Sequence, residues 1–274
     1  MSLMDDDEAP PTRPPRPRTR EEHQQRLVQA ASGQRLWDGM KRPWATWSLL
    51  GFMVLIHLAL GLRLYLNDKV DLVGLVAAQR PDALLIRAGG QYARAISKGE
   101  LWRLVSCIFL HGDGVHIFLN GAAFLGLGRL CEALYGRSRM LFLFLVCGVV
   151  GSTASYLGGH RLSVGASGAI FGMLAAPIIF GWRHAAELPP GLGARLHKAL
   201  LPWVGLNLVI GFMVPFIDNL AHVGGMLTGA ALALVLGNRV VPGKEGSAVA
   251  GTAMNVLFAL AVGWAAWGVA GKWR

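Results

Sequence analysis

Ser163-Val164-Gly165-Ala166-Ser167-Gly168-Ala169-Ile170-Phe171-Gly172 places one hydroxyl among glycines and alanines at the head of a long apolar run. Small neighbours leave the Ser167 oxygen uncovered and let a second backbone come close, which suits a nucleophile. Taken alone, the stretch is a glycine-rich helix start, and in a membrane such a surface usually serves packing. What lies around it in the chain decides between the two.

The surroundings are apolar. Of the 274 residues 53% are hydrophobic and only 15% charged, and the mean hydropathy is +0.44. Soluble domains are about 45–50% apolar and about 25% charged. A bilayer core takes about 20 consecutive apolar residues in a helix. Blocks centred on 45–66, 115–134, 140–158, 165–182, 198–216, 220–237 and 252–271 meet that need. The expected fold is all-α, a polytopic transmembrane helical bundle embedded in the lipid bilayer. The net charge of +10 is spread over the ends of these blocks rather than gathered into a patch interleaved with aromatics, so nucleic acid is not expected as a partner. Cys107, Cys131 and Cys147 are odd in number and show no paired spacing, which gives neither a disulfide framework nor a zinc site.

Residues 1–44 begin with an acidic run, Asp5 to Glu8, followed by prolines alternating with arginines. Such a segment buries too little apolar surface to fold and is expected to be disordered, with a short helix along the membrane surface over Glu21–Met40. No cleavable signal peptide is expected ahead of the first block. The connection 67–103 is too long for a tight turn yet rich in apolar residues, and is read as short helices lying in the interface. It closes on Trp102-Arg103, a pair suited to the headgroup layer. Basic residues mark alternate turns: Arg137 and Arg139, then Arg183, Arg195 and Lys198, then Arg239 and Lys244. By the positive-inside tendency the N-terminus is cytoplasmic and 67–103 lies outside. Seven spans then put the C-terminus outside as well.

Within the spans, His116 and Asn120 are four residues apart and share a helix face. They occupy the first turns of the second span, Ser167 those of the fourth and His222 those of the sixth. These three spans run in one direction, so four polar side chains meet at one depth. Singly, Ser167 would be a packing residue and His116 or Asn120 interhelical glue. His222 already points to function, since ionisable groups inside a membrane are costly. Together they carry chemistry: neutral imidazole takes the proton of a serine hydroxyl, and an oxyanion needs donors aimed at it, which Asn120, His116 and the Ser167 backbone supply. Gly168 and Gly172 make one small-residue face, Gly225 and Gly229 another, so the two helices can approach closely. Phe171, one turn below Ser167, can hold the imidazole by its ring.

Other motifs fail. Gly165-Ala166-Ser167-Gly168-Ala169 is not the strand–turn–helix nucleophile elbow, since position 169 is alanine. Asp218, four residues before His222, is better placed to cap the sixth span than to complete a triad. No H-E-x-x-H occurs, and neither a metal nor any other cofactor is expected.

At these residues the chain resembles the rhomboid family of intramembrane serine proteases over roughly 45–237. Trp102-Arg103 ahead of Phe109-Leu110-His111 is similar to the family's first external loop entering the second span. His116 to Asn120 matches H-x-x-x-N, Gly165 to Gly168 matches G-x-S-G, and Ala221-His222 with Gly225 and Gly229 matches A-H-x-x-G-x-x-x-G. Glu132 stands where the family has a structural carboxylate. The resemblance implies a six-helix core with Ser167 as nucleophile, His222 as general base, and His116 and Asn120 as oxyanion donors. Phe171 falls where some members place a tyrosine. It also implies single-pass transmembrane proteins as substrates, cut near the outer membrane boundary and entering past the fifth span. The expected division is 1–44, a core 45–237 with the loop 67–103, and 238–274 carrying an added seventh span with a structural or partner-contacting role. Abundant alanine, glycine and arginine suggest a bacterial inner membrane. The rival readings are a catalytically silent scaffold that holds membrane clients, and a transporter, for which no duplicated half-sequence is visible.

Overall fold

The computed structural model describes residues 19–214 and 217–273. The acidic and proline-rich part of the leader, 1–18, lies outside them. In chain order the elements are α1 (Arg20–Met40), α2 (Trp44–Tyr65), α3 (Gly74–Ala77), α4 (Asp82–Arg87), β1 (Gln91–Tyr92), α5 (Ala93–Ile96), α6 (Arg103–Ser106), a 3-10 turn Cys107–Phe109, α7 (Gly114–Tyr135), α8 (Arg137–Leu157), β2 (Leu162–Ser163), α9 (Ser167–Arg183), α10 (Leu192–Met213), α11 (Asn219–Val235) and α12 (Ala248–Ala270). The chain is an all-α polytopic bundle. The helix expected over Glu21–Met40 forms as α1 and packs on α7, where Gly39 lets it lie on the Ala133 backbone, a Cβ at Gly39 standing 2.9 Å from the Ala133 Cα.

By length and composition α2, α7, α8 and α12 can each cross a membrane, while α9 and α11 are apolar but only 17 residues long. At 1.5 Å per residue such a helix covers about 25 Å, less than the roughly 30 Å hydrocarbon core. α10 starts earlier than the fifth apolar block, taking in Arg195 and His197 ahead of it. Exposed apolar side chains, among them Leu206 and Val209 on α10 and Leu257 and Leu260 on α12, ring the bundle as a hydrocarbon-facing surface requires.

The centre is the three-way crossing of α8, α9 and α11, the most extensively packed helices in the molecule. A Cβ added at Gly225 would overlap the Gly168 carbonyl, and one at Gly229 would stand 2.5 Å from the Gly172 carbonyl carbon. From α8, Gly151 meets the Ala221 carbonyl in the same way, at 2.7 Å. Below the crossing, Phe124, Cys131, Met140, Phe144 and Met173 form a core with no solvent exposure.

Glu132 does structural work. Pro43 offers α2 no capping side chain, so the first N–H groups of α2 need a partner from elsewhere. The Glu132 carboxylate on α7 supplies it, accepting from Ala45 N (3.2 Å), Thr46 N (2.9 Å) and Thr46 Oγ1 (2.8 Å). A negative charge at the positive end of the helix dipole is favourable.

The segment 67–103 contains the short helices expected, plus a feature the sequence did not signal. β1 pairs antiparallel with β2, Gln91 opposite Ser163 and Tyr92 opposite Leu162. Two residues per strand are too few for an alternating pattern to register. The headgroup reading of Trp102-Arg103 is corrected: both side chains are buried. Arg103 donates to the carbonyls of Ile86 (2.5 Å) and Gly90 (3.0 Å) and to Glu100 Oε2 (2.8 Å), satisfying loop backbone groups that would otherwise be left without partners. Trp102 lies on α12, where a Cβ at Gly268 would come within 2.6 Å of its ring. Lys272, just past α12, donates to Glu100 Oε1 (2.7 Å) and accepts at its carbonyl from Arg87 Nε (2.9 Å). The seventh long apolar helix is therefore clasped to the loop.

Two outcomes follow for thermal unfolding in detergent. Gly225→Ala is expected to destabilise by about 2 kcal/mol or more through overpacking, whereas Gly263→Ala, with nothing within 4 Å of its added methyl, is expected to stay within about 0.5–1 kcal/mol on the stabilising side. Partial burial pushes the Glu100 carboxyl up, but hydrogen bonds from Lys272 and Arg103 outweigh it and hold the group below its usual range. A depressed carboxyl stabilises the fold above its unfolded pKa, about 4.3, and loses that effect as pH falls through the lower folded value. The melting difference between wild type and Glu100→Gln should accordingly be constant from neutral pH down to about 5 and vanish in stronger acid.

Candidate active site

Ser167 is the first residue of α9, and Ala166 before it contributes no capping side chain. The Ser167 hydroxyl thus stands beside the unsatisfied N–H groups of a helix N-terminus, where partial positive charge gathers. His222 lies in the first turn of α11, and the glycine crossing below brings the two together: His222 Nε2 to Ser167 Oγ is 2.9 Å. The imidazole stacks on Phe171, ring centroids 4.2 Å apart and planes 12° from parallel. His222 is buried while Ser167 remains half-exposed, so the hydroxyl can be reached and the base is shielded.

Among the described residues no carboxylate hydrogen-bonds the imidazole. His222 Nδ1 has no hydrogen-bond partner among the described residues. Asp218 is committed elsewhere: Oδ1 caps α11 by accepting from Ala221 N (3.0 Å) and Oδ2 accepts from Ser163 Oγ (2.8 Å). The stack on Phe171 fixes the ring instead.

α7 delivers the third side of the site. Asp113 caps it, accepting from His116 N at 2.8 Å, and His116 and Asn120 follow on one face. The Gly112 N–H donates to His116 Nδ1 at 3.4 Å, which leaves the ring proton on Nε2. That nitrogen faces Gly165, where a Cβ would be 2.7 Å away. Asn120 is buried and donates one amide proton to the His116 carbonyl at 3.2 Å, keeping the second N–H free. Gly165 has φ +129°, and its N–H donates to the Cys107 carbonyl at 3.0 Å. Only glycine takes that backbone conformation readily, and only glycine leaves room for the His116 ring. Ser167, His222, His116, Asn120, Phe171 and Gly165 thus come together at one end of the α7, α9 and α11 cluster, with Gly168, Gly172, Gly225 and Gly229 making the helix crossing beneath them.

The family model of the Rhomboid domain matches residues 98–239. The chain is 32% identical over 218 residues to RHOMBOID-like protein 5 of Arabidopsis thaliana, an overlap covering 71% of this chain and 69% of that protein. The chain belongs to the rhomboid family. It is also 35% identical over 153 residues to the rhomboid protease GluP of Bacillus subtilis, covering 56% of this chain but 29% of GluP. With RHOMBOID-like protein 4 of Arabidopsis thaliana it shares 32% over 217 residues, 71% of this chain and 54% of that one. As a rhomboid, the chain is an integral membrane protein with a protease among its relatives.

Sequence reasoning missed a buried network behind His116. Arg80, in the loop before α4, is 1% exposed. Its guanidinium donates to the carbonyls of Ala78 (2.5 Å) and Leu75 (2.8 Å), and the Arg80 backbone N–H donates to the Gly112 carbonyl (2.6 Å). His57 of α2 donates from Nε2 to the Val76 carbonyl at 2.9 Å. The His111 ring stands edge-on to His116 with centroids 5.0 Å apart. The network braces the turn that carries Gly112 and Asp113, the two residues that hold His116. An arginine inside an apolar loop was the one signal in the sequence, and it carried no periodicity to place it. Gly165→Ala should cost about 1–3 kcal/mol from backbone strain, read as a lower melting temperature in detergent, because both the positive φ and the His116 ring oppose a methyl group there.

Proposed function

We propose that this rhomboid is an intramembrane serine endopeptidase acting through a Ser167–His222 dyad. The observation that carries the reading is the 2.9 Å contact between Ser167 Oγ and His222 Nε2, made inside a bundle of apolar helices. In the proposed reaction Ser167 Oγ attacks the scissile carbonyl carbon and its proton passes to His222 Nε2. The oxyanion accepts from the N–H groups opening α9, the free Asn120 amide N–H and His116 Nε2–H, donors set before charge develops. His222 then protonates the leaving amine, and water takes the part of the serine in hydrolysing the acyl-enzyme. Phe171 holds the base where a triad would use a carboxylate.

The substrates are single-pass transmembrane proteins. The short α9 and α11 support cleavage near a membrane boundary, because helices of this length begin inside the hydrocarbon layer and set the dyad below its edge. Alternating basic turns favour a cytoplasmic N-terminus, which makes that boundary the outer one, and the composition favours a bacterial inner membrane. The core runs over 45–237, with 1–44 as a cytoplasmic leader and 238–274 as an added C-terminal unit. α10, whose described residues other than Gly193 and Gly211 are half-buried or exposed and which packs on α9 with little on α11, is the side on which a substrate helix enters.

With a reporter membrane protein, Ser167→Ala and His222→Ala should each abolish cleavage at unchanged expression. Asn120→Ala should lower the rate by about 10²-fold or less, because other donors remain. Persistent cleavage by Ser167→Ala overturns the nucleophile assignment. A serine-directed fluorophosphonate that labels wild type and not Ser167→Ala supports it, and failure to label wild type favours the silent scaffold.

A further inference from the structure

α2 and α12 stand side by side without closing on each other, and the crevice between them is a groove of two halves. One half, about 490 Å³, runs from Phe52 and Val262 to Arg63 and Trp273. The other, about 620 Å³, runs from the same Phe52 and Val262 to Trp44 and Arg137. Along α2 the first half covers about 16 Å at 1.5 Å per residue, close to one leaflet of a hydrocarbon core about 30 Å thick. Apart from Ser106, whose hydroxyl donates to the Gly89 carbonyl, its walls are apolar until the mouth. There Arg63 and Trp273 line the opening, and the guanidiniums of Arg63 and of Arg87, which approaches the same ring from outside the half-groove, lie 4.2 and 4.5 Å from the centre of the Trp273 ring. Neither guanidinium has an acidic partner among the described residues, and the Glu100 carboxylate is bound to Arg103 and Lys272.

We propose that this half-groove is a binding site for an anionic phospholipid, its acyl chain lying between α2 and α12 and its phosphate bridging Arg63 and Arg87. Two cations held against one ring repel each other, and a phosphate between them removes that repulsion while adding charge-assisted hydrogen bonds. The tryptophan sits where an amphipathic ring meets headgroups. The placing of charge at one mouth of an apolar half-groove about one leaflet long favours a lipid over a partner helix, because a phosphate headgroup joined to an acyl chain has the same order of charge and hydrocarbon. Ser106 and Phe109 form part of the inner wall, so a bound chain lies against the segment that leads into α7. This site does not depend on the protease reading.

The test uses the purified full chain in neutral detergent, stripped of lipid, with phosphatidylglycerol or phosphatidylcholine of identical chains added. Retention is read by native mass spectrometry and the melting temperature. Phosphatidylglycerol should be retained roughly tenfold over phosphatidylcholine, as two basic residues near an anionic headgroup warrant, and should raise the melting temperature more. Arg63→Gln with Arg87→Gln should bring the two lipids to parity. Because Arg87 also bonds the Lys272 carbonyl, Arg63→Gln alone serves if the double variant melts early without lipid, and it should lose most of the preference. Ala266→Trp, which fills the groove from α12, should reduce retention of both lipids. Equal binding of the two lipids by wild type, a preference that survives Arg63→Gln, or undiminished retention by Ala266→Trp overturns the proposal. So does an equal melting shift from inorganic phosphate alone, or a photo-crosslinker at Ala59 that captures a polypeptide from native membranes instead of a lipid.

Discussion

The contact on which the rest depends is backbone against backbone: Gly225 on the Gly168 carbonyl and Gly229 on that of Gly172. In hydrocarbon there is no hydrophobic drive to bring helices together, because lipid tails are as apolar as leucine. Attraction must come from close fit, and close fit requires that side chains be absent where the helices cross. The same absence sets the distance between the first turns of α9 and α11. A serine hydroxyl and an imidazole reach 2.9 Å only because two glycine pairs below them leave nothing in between. Stability and the geometry of the site are therefore one constraint.

A helix pair this close leaves its polar ends to be satisfied from outside, and the bundle does so by borrowing. Glu132 of α7 caps α2, Asp113 and Asp218 cap α7 and α11, and Arg103 and Arg80 fill the carbonyls of the loop 67–103. α9 alone among the three helices of the site begins without a capping side chain. The exposed N–H groups at its start are a cost to the fold, and they lie beside the hydroxyl where an oxyanion would form. α8 and α10 also begin without a capping side chain, but among the helices that carry the site the uncapped end is the one beside the hydroxyl, where the proposed oxyanion would complete the hydrogen bonding.

Much of this was legible in the chain. Hydropathy located the long helices to within a few residues, since a bilayer imposes a length that composition must meet. His116, Asn120, Ser167 and His222 were brought together by reasoning from direction and depth alone, and the small-residue faces at Gly168, Gly172, Gly225 and Gly229 announced the crossing. What did not show was whatever depends on contacts distant in sequence. Arg103 and Trp102 look like an interfacial pair because local composition cannot say that a loop folds over them. The two-residue ladder of β1 and β2 has no period. Arg80, His57 and His111 come from three segments and meet only in the folded molecule.

The loop 67–103 shows what those distant contacts accomplish. β1 holds it to β2, just ahead of Ser167; Arg80 holds it to the turn ahead of His116; Glu100 and Arg87 hold it to the end of α12. Two of the three attachments are thus made within a few residues of a side chain in the site. Movement of the loop would shift the Gly112 N–H that fixes the His116 tautomer and the Ser163 hydroxyl bonded to Asp218. Because α12 packs on Trp102 and clasps Glu100, the added helix stabilises the loop from the far side, so an element outside the matched domain supports the position of His116 without approaching it.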